Sequence, residues 1–226
     1  MSNYRIIDVN NWIRKSQYER FNSFSNPTYG FCVKIDVTEI VNYSKKTKTS
    51  FFANFLYVIM RVQNEIDAFK LRCLGDKVVM FDQINPDFTI RTDDGCFNNG
   101  GFEYTRNHQE FIARCKKVIE EKSKYANKDE SYNEENVLDL IYCSCLTTID
   151  IVSMTHPIKN NDRESNSVPH IFWDKYIKVD DRYFLTLNMT VSHALVDGEE
   201  LSKGFNLVRK YALSFEEIIN YWFIYR

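Results

Sequence analysis

The sequence predicts an α+β layered sandwich, a mixed β-sheet covered by helices, and two observations carry this. Apolar residues recur at helical spacing in some stretches and alternate in others. The two kinds of stretch do not alternate strictly, as they would in a doubly wound parallel fold. The chain has 226 residues and is 44% hydrophobic, enough for a sizeable core, and its seven Gly and four Pro form no dividing linker. One domain over 1–226 is expected, with 214–226 as a C-terminal helical extension.

In order, Asp8 to Phe24 reads as an amphipathic helix with Trp12, Ile13, Tyr18 and Phe21 on or near one face. Gly30 to Val37 alternates as a strand does. Thr38, followed by Glu39, can cap a short helix reaching Asn42 or beyond. Ser50 to Ile66 is a strongly apolar helix, with Phe51, Phe55, Val58, Ile59 and Val62 at helical spacing. Phe69 to Cys73 and Lys77 to Phe81 form two strands around the turn Leu74-Gly75-Asp76, and Phe88 to Arg91 a third. Tyr104 to Tyr125 fits a long helix carrying Phe111, Ile112, Cys115, Val118 and Ile119, with His108 on its charged, exposed side. Ala126 to Glu135 is a charged loop. Leu138 to Thr148, Ser167 to Val179 and Tyr183 to Ser192 read as strands, Glu199 to Leu213 as a helix, and Ser214 to Tyr225 as a short aromatic one. So many aromatics on a tail predict that it packs on its own subunit or a neighbour.

Composition narrows the function. The formal net charge is -2, and no basic patch argues for nucleic acid. The longest apolar run, Phe51 to Met60, contains Asn54, precedes Arg61 and is too short to span a bilayer. Met1-Ser2-Asn3-Tyr4-Arg5 lacks the basic and apolar regions of a signal peptide, so a cytoplasmic protein is expected. The cysteines Cys32, Cys73, Cys96, Cys115, Cys143 and Cys145 show no regular spacing and complete no zinc pattern with histidine. They are expected to be buried free thiols, and no metal is expected.

The run Asn188-Met189-Thr190-Val191-Ser192-His193-Ala194-Leu195-Val196-Asp197-Gly198 is the most informative stretch. It reads as a strand that ends in a polar turn, with His193 held rigidly at the strand end. Asp197-Gly198 then redirects the chain into the next helix. Histidine ionises near neutral pH, so His193 can take a proton from an alcohol and return it. Asp197 could act on the imidazole directly, as in a triad.

Several further segments keep a shared order and spacing. They are Asp8-Val9-Asn10-Asn11-Trp12-Ile13-Arg14-Lys15 with Tyr18 and Phe21, Lys34-Ile35-Asp36-Val37-Thr38, and Phe69-Lys70-Leu71. Farther along come Phe81-Asp82 leading to Pro86, Phe88 and Thr89, then Tyr142-Cys143-Ser144-Cys145-Leu146 and Ser192 to Gly198. With these, the chain resembles the chloramphenicol acetyltransferase family along nearly its whole length. The resemblance implies an O-acetyltransferase that uses acetyl-CoA as co-substrate and is built as a homotrimer with active sites between subunits. It implies direct transfer, with His193 as the base and no acyl-enzyme, so orientation in one ternary complex supplies much of the rate. Ser144 would donate to the oxyanion. Asp197 would pair with Arg14 and brace the turn that holds His193. If that pair is buried, losing one partner would cost roughly 3–5 kcal/mol.

The chain also departs from the family pattern. Ser192 stands where the family has the first histidine of a doublet. Phe172, in Pro169-His170-Ile171-Phe172-Trp173-Asp174-Lys175-Tyr176, stands where the family has a threonine holding a water near the oxyanion. Phe21, Thr89 and Phe97 keep the character of the acceptor wall, whereas Ser25, Pro27 and Thr147 to Ile151 do not. Chloramphenicol is the leading acceptor, and another small hydroxyl compound competes with it. His108, His156 and His170 receive no role. The polar loop Asn160 to Asn166, with Lys159 before it, could meet coenzyme A phosphates. Two other readings remain. One is the acyltransferase core of 2-oxoacid dehydrogenase complexes, which this chain fits poorly without a lipoyl domain or its Ala/Pro-rich linker. The other is a non-catalytic small-molecule binder of the same fold.

Overall fold

The computed structural model describes residues 3–124 and 137–220. The chain opens with strand β1 (Tyr4–Ile6), a 3-10 turn at Val9–Asn11 and helix α1 (Lys15–Asn22). The single helix expected over Asp8 to Phe24 is therefore two pieces. Asp8 caps the first by accepting from the Asn10 N–H, and Ile13, counted on the apolar face, is 94% exposed between them. Strand β2 (Thr28–Asp36) leads to helix α2 (Thr38–Thr47). Thr38, expected to cap this helix, is instead its first residue: its N–H donates to Asp36 Oδ1, and its Oγ1 takes the N–H of Tyr183. Helix α3 (Phe51–Glu65) is capped by Ser50 and buries Phe55, Leu56, Val58, Ile59 and Val62. Each such side chain contributes about 1.5–3 kcal/mol relative to exposure.

After a 3-10 turn at Asp67–Lys70 come β3 (Leu71–Leu74) and β4 (Lys77–Phe81), joined through Gly75 at φ 58°, a backbone shape that favours glycine. Phe69, expected in the strand, belongs to that turn. Strands β5 (Asn85–Arg91) and β6 (Phe97–Gly101) pair antiparallel, and β6 escaped the sequence because in Phe-Asn-Asn-Gly-Gly four of the five residues are poor strand formers. Helix α4 (His108–Lys122) and strand β7 (Leu140–Cys145) flank the predicted charged loop, which lies outside the described residues. Helix α5 (Arg163–Ser167), β8 (His170–Trp173) and β9 (Ile177–Val179) replace the single strand expected over Ser167 to Val179. The break is caused by Asp174. Its own N–H still donates to Thr186 O, but its buried carboxylate accepts the N–H groups of Ile151 and Thr186, so the regular backbone pairing with β10 stops there. Strand β10 (Arg182–Ser192), helix α6 (Gly198–Leu213) and helix α7 (Phe215–Asn220) complete the described chain.

β1, β4 and β3 form a small antiparallel sheet. The main sheet runs β2-β10-β8-β7-β5-β6, with β9 also on β10. β10 is antiparallel to β2, β8 and β9, whereas β7 is parallel to β5 and β8, so the sheet is mixed as expected. One face meets the helices: Trp173 packs on Phe55, Phe88 on Phe52, and Met189 Sδ meets Gln63 of α3. Arg72 fastens the small sheet to the main one. It is fully buried and donates to the carbonyls of Phe69, Leu71, Leu138 and Leu140.

Two residues correct the sequence reading. His108 is buried, not exposed. Its Nε2 meets Asn54 Oδ1 at 2.9 Å among the rings of Tyr43, Tyr57 and Phe215, and burial lowers it to about 4. Cys96 is an exposed thiol, while Cys73, Cys115 and Cys143 are buried and all six cysteines are free. The described part of the aromatic tail packs on its own chain, with Phe215 buried against Tyr43; residues 221–226 lie outside the described residues. Among the described residues no helix is long and apolar enough to cross a membrane.

Candidate active site

The β2–β10 ladder ends at Thr28 and Ser192. Beside it Gly30 lies against β10 so closely that a Cβ would stand 2.5 Å from the Met189 carbonyl oxygen. His193 N–H then donates to Pro27 O at 2.9 Å, and the N–H groups of Leu195 and Val196 both turn back onto Ser192 O. This turn presents the imidazole between two rings. Phe21 of α1 stacks on it at 3.9 Å and 7°, and Tyr29 of β2 at 4.4 Å and 29°. Tyr29 also donates its hydroxyl to Val196 O, holding the turn from the other side.

Asp197 is occupied elsewhere than on the imidazole. Its Oδ1 caps α6 by accepting from Glu200 N–H at 3.0 Å, and its Oδ2 accepts from Arg14 Nη1. Arg14 Nη2 reaches His193 O at 3.5 Å. Burial pushes the Asp197 carboxyl up, but the Glu200 N–H and the Arg14 guanidinium outweigh it and hold it below its ordinary value. His193 Nδ1 is buried and, among the described residues, has no hydrogen-bond partner. The geometry is that of a braced turn, without an Asp–His pair. Asp197 is 41% exposed and Arg14 17%, so the fully buried pair considered above is in fact a partly exposed one.

Ser144 lies on the sheet face turned away from the helices. Two rows of side chains cross that face. One runs Asp87, Tyr142, His170 and Thr190; the other runs Thr89, Ser144, Phe172 and Asn188. Ser144 Oγ and Thr89 Oγ1 are 3.0 Å apart, and Phe172 is buried beside Ser144 in register. Asp87, Tyr142 and His170 of the first row and Thr89 and Ser144 of the second floor a cavity of about 620 Å³ walled by Phe97, Met154 and His156 and bordered by Lys159. Phe97 is 62% exposed at its edge. Burial raises the Asp87 carboxyl to about 6 and lowers His170 to about 4.

Within one chain the predicted residues thus form two groups. His193, Arg14, Asp197 and Phe21 cluster at the end of β10, and Ser144, Thr89 and Phe97 line the cavity, with Phe172 buried beside Ser144. Ser144 is level with Phe172, and Phe172 with Asn188, five residues short of His193. At strand dimensions this separates the two groups by roughly 19 Å. Sequence reasoning missed Tyr29, Asp87, His156 and His170. Tyr29 follows from the alternation of β2, being level with Val191. The two histidines meet only through tertiary structure, because His156 lies on no regular element.

The family model described as chloramphenicol acetyltransferase matches residues 2–209. A chloramphenicol acetyltransferase of Clostridium butyricum is 26% identical over 219 residues, covering 95% of this chain and 97% of that protein. A solved chloramphenicol acetyltransferase superposes with a TM-score of 0.85 at 26% identity, over 93% of this chain and 100% of that one. A probable dihydrolipoamide acetyltransferase from Listeria monocytogenes shares the fold, with a TM-score of 0.64 at 15% identity over 88% and 91% of the two chains. The chain belongs to the chloramphenicol acetyltransferase family of acyltransferases.

Proposed function

We propose that this protein transfers the acetyl group of acetyl-CoA to a hydroxyl of chloramphenicol, at sites where His193 of one copy faces the Ser144 cavity of another. The observation that carries this is the separation of the two groups. Each has its share of acyl-transfer chemistry, and neither is sufficient within one chain. A ring of copies, each lending His193 to its neighbour, closes as the homotrimer expected from the family.

Acetyl-CoA supplies an activated thioester. His193 accepts the proton of the acceptor hydroxyl at Nε2 as that oxygen attacks the thioester carbon, and returns the proton to the departing thiolate as the C–S bond breaks. Phe21 and Tyr29 fix the plane of the ring, and the Arg14–Asp197 brace fixes the turn, so little orientation is left to chance. Ser144, oriented by Thr89, donates to the oxygen that becomes negative. Phe172 offers no donor there. Lys159 and the polar loop after it border the cavity and suit coenzyme A phosphates. The polar cavity floor favours a second reading, a different small hydroxyl acceptor at the same site.

The test is thiol release from acetyl-CoA by the purified protein, with and without chloramphenicol, beside His193→Ala. Drug-dependent release that disappears in the variant supports the proposal. Acetyl-CoA that stabilises the protein thermally without release in the presence of the drug removes chloramphenicol and leaves the second reading. No binding of acetyl-CoA removes both and leaves a non-catalytic binder.

A further inference from the structure

His156 and His170 stand together in the Ser144 cavity, with ring centroids 5.0 Å apart. They come from different parts of the chain: His170 from β8, His156 from the irregular segment that crosses the sheet face. Asn188 fixes the tautomer of His156. Its Nδ2 donates to Phe31 O and Cys32 Sγ, so its Oδ1 is the acceptor and takes the proton of His156 Nε2 at 2.9 Å. His156 Nδ1 is thereby left as an acceptor.

His170 packs against Tyr142 at 5.2 Å and, among the described residues, makes no hydrogen bond through either ring nitrogen. Neither nitrogen is among the buried unpartnered atoms, so both are accessible, and His170 lines the cavity. Burial lowers both histidines, so each is neutral at neutral pH, and His170 then offers one donor and one acceptor. Asp87, the titratable group on the same row beyond Tyr142, adds a further polar atom.

A ligand that fills this cavity takes these nitrogens out of reach of water. An apolar ligand would strand them, and a ligand with a polar group opposite would satisfy them. We propose that His156 and His170 form a hydrogen-bonding subsite that selects an acceptor with a second polar group. His170 is level with Tyr142, two residues from Ser144 along β7. The backbone positions of His170 and Ser144 are therefore about 8 Å apart, which sets the scale of the distance from the second polar group to the reacting centre. This rests on the acetyl-transfer reading of the Ser144 cavity.

Steady-state thiol release with chloramphenicol tests it, using the wild type, the double variant His156→Leu/His170→Ile and the double variant His156→Gln/His170→Gln. The apolar pair is expected to raise the KM for chloramphenicol at least tenfold. Its kcat should stay within threefold and its KM for acetyl-CoA should be unchanged, which also shows that it folds. The glutamine pair keeps donor and acceptor atoms and should recover most of the lost affinity. An unchanged or lower KM for chloramphenicol in the apolar variant, with an active wild type, overturns the subsite alone. A wild type that releases no thiol with chloramphenicol overturns the functional reading, and the subsite falls with it.

Discussion

Replacing Asp197 with alanine removes two interactions at once, and the structure separates them. The Oδ1 cap of α6 is worth about 1 kcal/mol. The ion pair through Oδ2 is partly exposed, at 41% for Asp197, so it is worth about 1 kcal/mol rather than the value of a buried pair. The sum, about 2 kcal/mol, corresponds to a fall in Tm of about 4–8 °C for a chain of this size. Asp197→Asn keeps a good cap and loses the charge, so it should fall by about half as much. Activity should decline with the brace, because Arg14 also reaches His193 O. The expected order of activity is wild type, Asn, Ala, parallel to the order of Tm. The assay is thiol release beside differential scanning calorimetry on the same preparations. Activity that collapses in Asp197→Asn while Tm stays at the wild-type value would refute bracing. It would mean that the carboxylate acts on the imidazole itself.

Three further outcomes follow from the same geometry. Ser144→Ala should lower kcat by about 10²-fold with little change in KM, as expected for an oxyanion donor, and Thr89→Val should fall between it and wild type; a change confined to KM contradicts the role. His108 is held at about 4 against 6.5, so the folded state binds fewer protons than the unfolded. Its contribution is complete above about pH 6.5 and is lost as pH falls towards 4, reaching about 2.5 kcal/mol by pH 4.5. His108→Gln should flatten the acid limb of a denaturant-derived stability curve by that amount. His170, which acts in the same direction, and Asp87, raised to about 6 and acting in the opposite one, are common to both proteins and cancel; parallel curves contradict the assignment. Arg72→Leu strands four carbonyl oxygens in the core and should cost about 4 kcal/mol or more, read as the urea midpoint. A midpoint near wild type contradicts its fastening role.

Much of the fold was legible because period and burial agree. The 15 residues of α3 carry their apolar side chains at helical spacing, and β10 alternates along its whole length between the helical layer and the open face. The reading failed where a single side chain overrides the local pattern. The Asp174 carboxylate takes the Thr186 N–H and ends the regular β8 pairing, and Asp8 starts a separate turn ahead of α1. His108 looks like a helix-surface residue, but Asn54, fifty-four positions away, supplies the partner that lets it be buried. At the site, the strand-end position of His193 follows from alternation and the Asp-Gly turn. Its aromatic stack with Phe21 and Tyr29, and the pairing of His156 with His170, depend on tertiary approach that no local spacing encodes.

In the proposed function one active site takes His193 from one copy and Ser144 from another. This is tested most directly by refolding His193→Ala and Ser144→Ala chains together. Each variant alone should release thiol from acetyl-CoA with chloramphenicol at a small fraction of the wild-type rate. The mixture should recover a substantial share of it, because some interfaces then join an intact His193 to an intact Ser144. A mixture no more active than the two variants measured apart, beside an active wild type refolded in the same way, would contradict the account.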